Sequence, residues 1–188
     1  MAYGPKKFAT QAELAEKIGE GWELIEKKEL TATTINIDFD NLDGDKDVVY
    51  RMIGIIKAGT ADNTDFVLKP NKESAAVKAL WSGATWDGTT AANEAHHHSI
   101  TSGFWLVDIP AGLQGMFDFI LHAKTGLRRM FTGKTMCERV AADIKEAWGL
   151  YAGVWDNTNT KITSLRVQDL MGVGAEAGSI FLLFRLKT

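Results

Sequence analysis

The chain has 188 residues and a mass of 20.6 kDa, with 21 Lys and Arg against 24 Asp and Glu, a net charge of −3 and a pI near 5.8. That length and a hydrophobic share of 45% suit one globular domain with a real core, and exclude wholesale disorder. The acidic balance excludes a duplex-DNA binder that relies on bulk positive charge, and no run approaches the roughly 18 apolar residues of a membrane-spanning helix. Neither nucleic acid nor a membrane is therefore an expected partner.

Cys137 is the only cysteine, so neither an intrachain disulfide nor a cysteine-based metal site is available. The N-terminus lacks the apolar stretch of a secretion signal, and the expected setting is a reducing cytosol. Six tryptophans and 18 glycines against three prolines are the unusual counts. They point to many turns and to large flat side chains that must be buried or presented.

Residues 1–21 carry the clearest helix signal. Thr10 and Glu13 have capping-box spacing, Leu14, Ala15 and Ile18 share one face, and Gly19 and Gly21 stop the run. Two turns are too short to stand alone in water, so Leu14 and Ile18 are expected to dock on the domain or on a neighbouring subunit.

From residue 22 onward the period is two. Ile35, Ile37 and Phe39 alternate with polar residues, Asp43-Gly44 supplies a turn, and Val48, Tyr50, Met52 and Ile56 alternate on the return, which together predict a hairpin. Asp65 to Lys69 is a shorter strand closed by Pro70-Asn71.

Residues 71–103 hold no long period and are expected to form a specialised loop bearing Trp81, Trp86 and His96 to His98. Strands resume at residues 103–109, ended by Pro110. The run 115–122 is apolar on both faces, as in a strand buried twice. Thr125-Gly126 turns the chain into residues 127–132, and 137–148 reads ambiguously as helix. Residues 148–155, 162–170 and 179–187 are three more strands. The whole predicts one all-β domain over 22–188, an antiparallel β-sandwich of jelly-roll type.

Chemical motifs are weak. Gly133-Lys134-Thr135 lacks the first glycine of a phosphate loop, because Arg128 stands there, and Gly172 to Gly178 precedes a strand rather than a helix. Asp38, Asp40, Asp43 and Asp45 are weak candidates for a calcium site, although Asp-Gly turn chemistry already explains them. His96 and His98 converge in an extended chain, but a zinc site needs a third fixed ligand. No nucleophile elbow is present, and Cys137 has no histidine near it in sequence. No enzyme activity and no cofactor are expected. Trp105, Trp148 and Trp155 are expected to pack in the core or on a sheet face, which leaves Trp81 and Trp86 as interface or sugar-stacking candidates.

The order of short motifs resembles a known class. The run from Ile35 to Tyr50, the Phe66 to Asn71 segment, Trp155-Asp156-Asn157, Ile162 to Val167, and the ending from Gly178-Ser179 to Lys187 look like small β-sandwich structural proteins of tailed-bacteriophage virions, of the capsid-decoration and appendage kind. The resemblance spans about two-thirds of the chain. It implies a non-enzymatic, multimeric virion component, made in the host cytoplasm, whose partners are the major capsid protein or other virion proteins. A glycan-binding module of a tail or spike, using Trp81 and Trp86 on a host glycan, is the alternative. A carbohydrate-active hydrolase is a third reading, with no motif behind it. Charge is divided between the halves: residues 1–94 carry 11 basic and 16 acidic side chains, net −5, and residues 95–188 carry 10 and 8, net +2.

Overall fold

The computed structural model describes residues 21–73, 77–86, 91–100, 102–141 and 144–187. Among them are twelve strands and one helical turn: β1 (Trp22–Glu29), β2 (Asn36–Phe39), α1 (Gly44–Asp47), β3 (Val49–Lys57), β4 (Thr64–Pro70), β5 (Val77–Trp86), β6 (Ala91–Ile100), β7 (Phe104–Ile109), β8 (Gln114–His122), β9 (Arg129–Ala141), β10 (Ile144–Trp155), β11 (Leu165–Asp169) and β12 (Ile180–Leu186). They build two sheets. The larger has the order β1-β12-β3-β8-β9-β10-β5-β6, the smaller β2-β11-β4-β7, and every pairing is antiparallel.

Period-two alternation explains how the sheets meet. On β3 the buried positions are Tyr50, Met52, Gly54 and Ile56, and on β8 they are Gly115, Phe117, Phe119 and Leu121. The side chains among these, with Ile37, Phe39, Phe66, Leu68, Phe104 and Val167 of the smaller sheet, form one core cluster, glycines apart. Each fully buried phenylalanine contributes on the order of 2–3 kcal/mol relative to exposure, so this aromatic layer is the main cohesive element. Two glycines make room for it. A Cβ at Gly54 would lie 2.4 Å from the Phe117 ring directly across the strand pair, and one at Gly133 would lie 2.6 Å from the Phe119 ring.

Most connections carry the chain from one sheet to the other. Among the described residues only β5–β6, β8–β9 and β9–β10 are successive strands that pair with each other. Asp43-Gly44 is accordingly not a hairpin turn. Asp43 caps α1, its side chain accepting from Lys46 N–H at 3.1 Å, and β2 and β3 on either side lie in different sheets. The sequence signal marked a turn but could not distinguish a return from a crossing.

Three further expectations are corrected. Residues 71–103 do not form a long loop, because 77–86 and 91–100 are two ten-residue strands in continuous register. Small residues break up their apolar positions and three consecutive histidines follow, so hydrophobic alternation is too faint to read. The described residues of the stretch 137–148 contain no helix and belong to β9 and β10. Ala, Glu and Lys gave it helical propensity, which ladder pairing on both sides of β9 and β10 overrides. Strand β8 is buried on one face alone, with Met116, Asp118 and Ile120 half-buried on the other. The expected helix over 1–21, with Leu14 and Ile18, lies outside the described residues except for Gly21.

Buried polar groups tie the crossing loops down. The Asp169 carboxylate accepts backbone N–H bonds from Asp65, Met171, Val173 and Gly174 at 2.7–3.1 Å, organising the glycine-rich connection into β12. Arg129 is fully buried at the start of β9. Its guanidinium donates to the carbonyls of Asn157 and Thr160 and lies 5.3 Å from the Trp155 ring centre. Burial pushes its pKa down.

Candidate functional site

Residues directly opposite each other on antiparallel strands lie on the same face of a sheet. One lateral row across the larger sheet therefore consists of Ile180, Ile55, Met116, Met136 and Trp148, contributed in turn by β12, β3, β8, β9 and β10. None belongs to the core cluster, and Ile55, Met136 and Trp148 are 40%, 47% and 51% exposed. Leu150, two residues along β10, is 55% exposed on the same face. Scattered apolar residues on a surface need no explanation, but a contiguous stripe of them does.

The next row, Ile53, Asp118, Lys134 and Leu150, carries charge. Arg51, one row further along β3, donates from Nε and Nη2 to the two carboxylate oxygens of Asp118 at 2.8 and 2.7 Å, and Lys134 Nζ lies 4.0 Å from the same carboxylate. Hydrogen bonding to Asp118 raises the Arg51 pKa, and the guanidinium also sits 5.9 Å from the Trp22 ring centre. Two shallow depressions result. One is lined by Ile55, Gln114, Met116, Met136 and Glu138, the other by Arg51, Asp118, Ile120, Lys134 and Leu150. The arrangement is an apolar stripe with a charged margin, open to solvent. It is suited to holding a flat partner surface rather than to enclosing a small substrate.

The tryptophan expectations divide. Trp155 is buried, and Trp105 is half-buried. Trp148 does not pack away but stands half exposed in the stripe. Trp81 is opposite Tyr151 on one side and His96 on the other, while Trp86 is opposite Glu146 and Ala91. Positions 81 and 86 are an odd number apart on one strand, so they belong to opposite faces of the sheet and cannot serve one site on one copy. His96 and His98 are two apart and share a face with position 81.

The four aspartates do not gather into one site. Asp38 is held by Arg166 through two bonds of 2.6 and 2.8 Å, and Asp38 and Asp40 share the Lys72 ammonium at 3.4 and 2.8 Å. Asp43 pairs with Lys161 at 2.9 Å, and Asp45 accepts the Thr125 N–H at 2.8 Å. Bonding to Arg166, Lys161 and Thr125 respectively holds the Asp38, Asp43 and Asp45 carboxyls below the usual range. Among the described residues no set of three His, Cys, Asp or Glu side chains is placed to hold a metal ion.

Sequence reasoning missed Ile55, Met136 and Trp148. The signal that bears on them is cross-strand register, which a single strand's alternation does not contain. It also missed Asp65, which stands opposite Asp108 on β7. Burial, then the nearby Asp108 and Asp169 carboxylates, push its pKa up to about 6. Comparison of the chain with known protein families, with curated proteins and with solved structures finds no match.

Proposed function

We propose that this chain is a non-enzymatic structural protein of a tailed-bacteriophage virion, a capsid-decoration or head-appendage subunit built as a jelly roll. The order of strand pairing supports the fold reading. With the β5–β6 and β9–β10 hairpins set aside, eight strands remain, and the first pairs with the last, the second with the seventh, the third with the sixth and the fourth with the fifth. That is a ribbon of four strand pairs. It is rolled up by the β12–β3 and β11–β4 pairings into two four-stranded halves. Rolled double-sheet ribbons of this kind are frequent in viral capsid proteins and lectins.

The single observation that carries the functional reading is the stripe of Ile55, Met116, Met136 and Trp148 with its charged margin. It has the anatomy of a protein–protein interface, an apolar centre with aromatic and methionine anchors and a polar rim. Its occupant in this reading is a shell protein of the same particle. Trp148→Glu with Met136→Glu is expected to abolish co-sedimentation with shells of the parent particle while leaving the fold intact. Undiminished co-sedimentation of that variant would remove the reading.

Glycan binding on a tail or spike is the second reading, favoured by Trp148, whose indole is half exposed on a flat face. A glycan array separates the two, because this alternative requires a binder that Trp148→Ala loses.

A further inference from the structure

The larger sheet ends in two edges, and the two are unlike. Strand β1 carries Glu23, Glu26, Lys27, Lys28 and Glu29 in eight residues, the dense charge that discourages another strand from adding to an edge. The smaller sheet's edges are also blunted. β2 has four residues, and β7 pairs through a bulge and is followed by Pro110. Strand β6 has none of these devices. It runs ten residues without proline or bulge, pairs with β5 in unbroken register, and carries Glu94 as its one acidic residue and no Lys or Arg. Among the described residues no strand pairs with its outer edge.

We infer that β6 is a self-association edge, at which two copies of this chain pair antiparallel about a two-fold axis to continue the larger sheet across both. The inference goes beyond the virion reading and would hold for an assembly subunit of any kind. Antiparallel pairing about a two-fold perpendicular to the sheet keeps the faces continuous, so opposed residue numbers must sum to an even value. Two registers centre the overlap on the ten-residue strand. A sum of 192 sets His96 against itself. A sum of 190 sets Ala95 against Ala95 of the partner subunit on the axis and Glu94 against His96 of the partner subunit, twice per pair. Both registers oppose Glu94 to an imidazole of the partner subunit, but only the second keeps a histidine from facing its own copy on the axis and sets small side chain against small there, and it is the one assigned.

The test is a charge swap at the axis. The unmodified chain is expected to run as an even-numbered species by native mass and light scattering, whereas Ala95→Lys and Ala95→Glu alone each halve the mass. An equimolar mixture of the two variants is expected to restore the larger species as a mixed pair only. A monomeric or odd-numbered unmodified chain, an unchanged mass for Ala95→Lys, or a mixture that stays dissociated would each overturn the inference. Hydrogen exchange on the unmodified chain covers the case in which a variant does not fold. Amides within 91–99 are expected to lose protection on dilution, and exchange independent of concentration there would overturn the inference. Shell binding is a separate readout, so failure of the virion reading leaves this result distinguishable.

Discussion

Met136 on β9 and Trp148 on β10 are directly opposed on the outer face of the larger sheet, each about half exposed. Neither belongs to the core cluster, so their apolar surface contributes little to folding. Replacing either by Ser or Glu is expected to change unfolding free energy by about 0.5 kcal/mol or less, as at surface positions generally. Chemical denaturation tests this, and a loss of several kcal/mol would show that the stripe is packed rather than presented.

Gly133 is the opposite case. Its Cβ, if present, would lie 2.6 Å from both the Phe119 ring and the Asp118 carbonyl oxygen. Backbone cannot yield as a flexible side chain can. Gly133→Ala is therefore expected to destabilise by about 1–3 kcal/mol, the range of overpacked cores. Urea titration measures it, and a neutral result would mean that the Phe119 ring has space the packing does not show.

Arg129 holds the 156–161 connection through the Asn157 and Thr160 carbonyls and the Trp155 ring. Arg129→Met keeps much of the volume but leaves the Asn157 and Thr160 carbonyls without their donor, which costs about 1–3 kcal/mol in all because Thr160 is exposed to water. A stability loss of that order is expected, together with faster hydrogen exchange in 156–161. Unchanged exchange there would contradict the clamp.

Asp65 gives a pH dependence of definite sign. Its pKa is raised to about 6 in the folded protein by burial, then by Asp108 and Asp169. The unfolded chain releases the same proton near the ordinary aspartate value of about 3.9. Between those values the folded state binds more protons, so this group's contribution falls as pH rises from about 4 to 6 and stays unfavourable above. Partial solvent exposure screens its size. Asp65→Asn is expected to gain stability relative to the unmodified chain at pH 7.5 and not at pH 4. Equal differences at both pH values would exclude Asp65 as the source.

What was legible in the sequence follows the physics of alternation. Ile37, Phe39, Tyr50 and Met52 sit on strands with one dry face and one wet face, and their pattern identified both strand and core side. β5 and β6 interleave Ala, Gly, Ser and Thr with Trp, His and Lys in no strict apolar–polar alternation, so their sequences mark neither face. The usable sign was Asp87-Gly88 between two stretches free of proline, an Asp-Gly signal that goes with hairpins. The stripe was illegible for another reason. Ile55, Met116, Met136 and Trp148 are far apart in the chain, and only the strand order brings them into one row.

The most direct test of the virion reading is an electron cryomicroscopy map of the parent particle. The account predicts density for this chain on the shell, with Met136 and Trp148 buried against a neighbouring virion protein. A particle without this chain, or one in which that face looks into solvent while another surface makes the contact, would contradict it.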